Sequence, residues 1–86
     1  MTHPIAAMIE LRARLRRLAD DCEERAHRSK SEHARWLYHE TARRARQDGK
    51  AAYATEPELR DTLAAMYRQA ELARWHDGKR HVDQYG

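Results

Sequence analysis

Met8-Ile9-Glu10-Leu11-Arg12-Ala13-Arg14-Leu15-Arg16-Arg17-Leu18-Ala19-Asp20-Asp21-Cys22 is the stretch whose reading decides the fold. Its apolar members Met8, Leu11, Leu15, Leu18 and Cys22 step by three and four, which places them on one stripe of an α-helix. Leu59, Leu63, Met66, Ala70 and Ala73 repeat the pattern near the other end. A weaker stripe lies between them, at Ala34, Leu37/Tyr38, Thr41 and Ala45, with its phase turned by about a third of a turn from the first. No segment alternates with the period of a strand. The fold class is therefore all-α.

The composition says how far such helices can go alone. Leu, Ile, Val and Phe supply only 10 of 86 residues, whereas 15 alanines and 14 arginines favour helix. A chain this short is a single domain, residues 1–86, and small domains commonly need outside help to be stable. One cysteine excludes an internal disulfide and suits a reducing cytoplasm. The help expected is a second copy. The Leu11/Leu15/Leu18/Cys22 stripe would form the seam, packed antiparallel so that basic Arg12–Arg17 meets acidic Asp20–Glu24. No apolar run reaches the length of a membrane span, and no basic-then-apolar leader is seen, so no membrane association is expected.

Local signals set the expected boundaries. Pro4 suits a first turn capped by Thr2 or His3, and the first helix runs over about residues 4–28. Ser29-Lys30-Ser31-Glu32 has the spacing of a capping box, which predicts a break and a second helix over about 31–48. The absence of Gly and Pro between Ile5 and Asp48 leaves one continuous helix of about forty residues as the alternative. Asp48-Gly49 reads as a stop with Gly49 in the left-handed region. Thr55-Glu56-Pro57-Glu58 is the strongest start signal, combining a cap, a first-turn proline and a reciprocal glutamate. The third helix is expected over about 56–76, ended by Asp77-Gly78, with 77–86 a polar tail. The architecture expected is a three-helix up-down bundle, or a long first helix plus a shorter one, completed by dimerisation.

Chemistry-bearing patterns are sparse. Arg12 and Arg16, with Arg43, Arg44 and Arg46, would gather at one end of a hairpin and could neutralise phosphates. Equally, Glu56, Glu58 and Asp61 would return beside Arg43, Arg44 and Arg46 and neutralise them. Glu24-x-x-His27 has the spacing of one half of a carboxylate-bridged metal motif, but its companion motif is missing. His76 and His81 straddle Gly78, and a single Cys argues against a zinc set. Cys22 lies in the apolar stripe, where a thiol acts as a small hydrophobe. No enzyme activity, cofactor or metal is expected.

The remaining signal is aromatic. Trp36 lies off its helix's apolar stripe, and Trp75 and Leu72 lie off theirs, with Arg68 on the same side. Large side chains beside a core stripe are typical interface anchors. The sequence thus leads to a small non-catalytic protein–protein interaction module, accessory or inhibitor-like, of the size bacteria and their phages encode. Trp75 and Leu72 are the first-choice anchors, Trp36 the second, and Arg68 a source of rim hydrogen bonds. A nucleic-acid-binding regulator using the arginines is the alternative, and a metal-binding helical protein the second alternative.

Overall fold

In a computed structural model of the chain, which describes residues 4–85 and the side chains of 5–78, three helices follow one another up, down and up. They are α1 (Pro4–Arg28), α2 (Glu32–Gly49) and α3 (Glu56–Tyr85). The C-terminal end of α2 lies against Leu15 and Arg12 of α1, and its N-terminal end lies against His76 of α3. Among the described residues there is no strand, and no helix is long and apolar enough to cross a membrane. The cap assigned to Thr2 or His3 lies outside the described residues.

The chain does break between the first two stripes, which rules out the continuous forty-residue helix. Ser31 is the N-cap of α2, in extended conformation (φ −83°, ψ 122°), and its Oγ accepts from the Ala34 N–H at 3.2 Å. Ser29 does not cap, contrary to the capping-box reading. Its hydroxyl donates to Asp77 Oδ1 at 2.8 Å, fastening the turn to α3.

The core is built mainly of leucine on α1 and α3 and of alanine on α2. Leu11, Leu15, Leu18, Ala19, Cys22 and Ala26 of α1 are buried against Ala34, Leu37, Tyr38, Thr41, Ala42 and Ala45 of α2 and Leu59, Leu63, Met66 and Ala73 of α3. Met8 and Ala70 are half-buried at its margin. Small inward side chains on α2 let its backbone approach its neighbours, because helix separation follows the size of the side chains at the contact. Thr41 resolves its buried hydroxyl locally by donating to the Leu37 carbonyl at 2.7 Å. Each fully buried Leu contributes about 1.5–3 kcal/mol by leaving water, and Leu15 and Leu59 are 0 % and 1 % exposed.

This packing removes the expected dimer seam. The Leu11/Leu15/Leu18/Cys22 stripe is covered by α2 and α3 of the same chain. A second copy cannot use it without opening the bundle.

Two glycine readings also change. Neither Gly49 nor Gly78 has a positive φ. Gly49 is the last residue of α2, and the residue after it, Lys50, caps with right-handed angles (φ −98°, ψ −5°). The Arg46, Gln47 and Asp48 carbonyls accept from the Lys50 and Ala51 N–H groups, and α1 meets the next ones, because Arg12 donates from Nη1 to the Gly49 carbonyl at 2.8 Å and from Nη2 to the Ala51 carbonyl in the connector at 3.0 Å. Asp77-Gly78 does not end α3, which runs on to Tyr85 with no polar tail in between. A helical glycine costs about 1 kcal/mol but does not stop a helix whose neighbouring turn is held, and Asp77 is held by Ser29. At the other end of α3 the capping box forms as read. Glu58 N–H donates to Thr55 Oγ1 at 3.4 Å, and Thr55 N–H donates to Glu58 Oε2 at 3.2 Å.

Candidate interaction face

Antiparallel packing of α2 on α3 brings the two tryptophans of the chain to one end of one face. His33 of α2 meets His76 of α3 edge to face, with ring centres 4.3 Å apart. Trp36, one turn on from His33, stacks on it at 6.2 Å with planes 21° apart. Trp75 meets its neighbour His76 at 4.9 Å and 81°. The four rings form a ribbon running Trp36–His33–His76–Trp75 across the α2–α3 junction. Edge-to-face and offset arrangements are those aromatic rings prefer.

His76 is half-buried, and the other three rings of the ribbon are exposed. Trp36 and Trp75 keep 59 % and 56 % of their surface in solvent. Leu72, one turn before Trp75 and His76, keeps 48 %. Arg68 lies one further turn back and is exposed. Arg68, Leu72 and Trp75 step by four and three, so they share one side of α3, roughly opposite the Leu59/Leu63/Met66 stripe at 100° per residue. Sequence reasoning singles out both tryptophans, Leu72 and Arg68, but gives His33 and His76 no part in the face. Their bridging role follows only from the pairing of α2 with α3.

The arginines fall into different roles. Arg12 is committed to the end of α2. Arg46 turns toward α1, donating from Nη2 to Asp20 at 2.9 Å and from Nη1 to Glu23. That hydrogen bond is the main reason the Glu23 carboxyl titrates below its ordinary value. Arg43 pairs with Glu40 at 2.9 Å on the surface of α2 and lowers the Glu40 pKa. The expected neutralisation of Arg43, Arg44 and Arg46 by Glu56, Glu58 and Asp61 does not occur. Glu56 pairs with Arg60 at 2.7 Å, and Glu58 is used in the cap. Arg16 lines an open hollow of about 390 Å³ with Arg12, Asp20, Ala45, Arg46, Gly49 and Lys50. Two of its four cations are already bonded within the fold, so it is not a clear phosphate cradle. Arg44 carries no salt bridge to a described residue.

Cys22 is fully buried, and burial first, then the charge of Asp21, push its thiol up to about 11. A neutral, enclosed thiol is a poor nucleophile. Glu24 is paired with Arg28 rather than placed beside His27 as a ligand, and His27 meets His39 of α2 edge to face at 6.3 Å. Among the described residues no three His, Cys, Asp or Glu side chains converge as a metal set. His81 lies outside the described side chains. In comparisons with protein-family models, curated proteins and solved structures, the chain matches none of them.

Proposed function

We propose that this protein is a non-catalytic protein–protein interaction module that docks through its α2–α3 face. The observation that carries the reading is the ribbon itself. Folding gathers Trp36 and Trp75 beside each other through His33 and His76 and leaves both more than half exposed. Large aromatic surface gathered in one patch is the usual anchor of a protein interface. Leu72 extends the patch and Arg68 stands at its rim. The nucleic-acid reading has less support, since Arg12 and Arg46 are spent on internal contacts.

The test uses the full chain as bait in nuclease-treated lysate, beside Trp75→Ala and Trp36→Ala. A protein recovered with the wild type, lost with both variants and shown after purification to blue-shift the tryptophan emission bears the reading out. Recovery of nucleic acid alone, lost when Arg43, Arg44 and Arg46 are reversed to Glu, overturns it.

A further inference from the structure

Each histidine whose side chain is described meets another histidine across a seam of α2. His27 of α1 meets His39 at 6.3 Å on one flank, and His76 of α3 meets His33 at 4.3 Å on the other. Much of what α2 buries is small, at Ala34, Thr41, Ala42 and Ala45. Small side chains remove little area from water, so contacts at its flanks matter more to how it is held.

The two pairs differ in what a proton meets. Imidazole is the side chain that ordinarily takes up a proton between pH 5 and 8. On the α1 flank the rings are farther apart, and Glu23 is close enough to His39 to feel its charge, after the larger effect of the Arg46 hydrogen bond. That acid offsets charge on the pair. On the α3 flank the first proton meets a neutral imidazole and the rings of Trp36 and Trp75. The second sets two cations side by side, their ring centres 4.3 Å apart. The surroundings supply no excess of acid. Lys30, Glu32 and Arg35 flank His33 in the chain, and Arg74 and Asp77 flank His76. Asp77 accepts from Ser29, and at the adjoining end of α1 Arg28 is paired with Glu24. Lys79 and Arg80, next along α3, lie outside the described side chains. His33 also lies in the first turn of α2, where the helix dipole opposes a positive charge.

The rings are at most half-buried, so water weakens the repulsion. Unit charges at this separation in water resist the second proton about fivefold. The unfolded chain, with the rings apart, takes both protons freely. It therefore binds more protons than the fold in acid, and the stability the pair contributes is present at neutral pH and lost as pH falls.

We propose that the His33–His76 pair is a proton-sensitive clasp, which closes the α2–α3 face at neutral pH and loosens it when both imidazoles are charged. These are the two central rings of the ribbon, so parting them parts Trp36 from Trp75. Its use, weaker docking in acid, rests on the interaction reading above.

The experiment is urea unfolding of the full chain at pH 7.5 and pH 5.0, in low salt and in 1 M sodium chloride. The variants are His33→Phe, His76→Phe, the two combined, and His27→Phe. Phenylalanine keeps a ring for the contact but takes no proton. His33→Gln and His76→Gln repeat the test without added apolar surface. On acidification wild type should lose about fivefold more of its folding equilibrium constant than His76→Phe does. His33→Phe should remove at least as much of the loss, since the dipole's effect goes with it, and the double variant should match His33→Phe. His27→Phe should keep the wild-type slope. Most of the difference should vanish in 1 M salt, which screens charges on exposed rings. A slope moved by His33→Phe but not by His76→Phe, effects that add in the double variant, or a difference that survives 1 M salt overturns the clasp. Docking is read separately, with Trp75→Ala at neutral pH. If the clasp passes and no protein binds through Trp75, the interaction reading falls and the clasp stands. If docking depends on Trp75 while wild type and His76→Phe share one pH slope, the clasp falls and the docking face stands.

Discussion

Replacing Gly49 or Gly78 by alanine should stabilise this protein, and the sign of that change tests the helix ends. Both glycines have right-handed backbone angles, so an L side chain meets no conformational penalty at either. At Gly78 a Cβ would have nothing within 4 Å, and the residue lies inside α3 seven positions before its end. The gain expected there is the helix-propensity difference, about 0.5–1 kcal/mol. At Gly49 the Cβ would land 3.5 Å from the Leu15 Cβ and 3.8 Å from its Cδ1, which is ordinary contact rather than a clash. A similar gain of about 0.5–1 kcal/mol follows, with a small addition from the methyl group against Leu15. A glycine acting as a left-handed stop would behave in the opposite way, losing about 1 kcal/mol on gaining a Cβ. The two accounts therefore differ by roughly 2 kcal/mol at each site. For a domain of this size each 1 kcal/mol moves the melting temperature by about 4–8 °C. Thermal melts and urea midpoints of the two single variants and the double variant resolve that difference easily. A fall in melting temperature for Gly78→Ala would show that α3 ends where the sequence suggested. A fall for Gly49→Ala would show that the approach of α1 to α2 is tighter than described.

Three further outcomes follow from the packing and the caps. Leu15→Ala should cost about 2–5 kcal/mol, a large part of the roughly 5 kcal/mol available to a small domain, and an unchanged melt would mean that Leu15 is not enclosed. Thr55→Ala should cost about 1 kcal/mol through the lost N-cap, read as an earlier urea midpoint, and no shift would remove the capping box from α3. Cys22 links stability to alkaline pH, because its thiol is held neutral up to about 11 in the fold against 9.0 for the free group. A folded-state value above the unfolded one leaves stability intact below about pH 9 and erodes it as pH rises toward 11, by up to about 2–3 kcal/mol. Cys22→Ala should flatten that part of the stability curve, and an identical slope in both proteins would contradict the burial of the thiol.

The leucine register and the Thr55 box were legible in the sequence because each is local. A stripe of leucines at three and four residues can face only one way, and a capping box closes within one turn. Alanine carried no such signal. Ala19, Ala26 and Ala42 are core residues, yet the chain has 15 alanines on all sides of its helices. The course of α3 past Gly78 was hidden because the bond holding its neighbour comes from Ser29, 48 residues away. The Arg12 bonds to Gly49 and Ala51 likewise span 37 and 39 residues. Of the interaction face, the tryptophans could be named from their offset from the stripes. Their convergence could not, because it depends on the register of α2 against α3, which is set by small core side chains that leave no periodic mark.

The Arg12 bonds bear on how the molecule opens. Helix ends ordinarily fray by themselves, one turn at a time and at little cost. The end of α2 is denied that independence, since the Gly49 carbonyl and the Ala51 carbonyl just past it are tied to a guanidinium carried by another helix. The Lys50 and Ala51 amides bond back to Arg46, Gln47 and Asp48, and their exchange should slow where the Arg12 bonds hold the turn. The connector into α3 becomes part of the same cooperative unit as the first hairpin, and a segment that looks like a loop reports on the undocking of two helices.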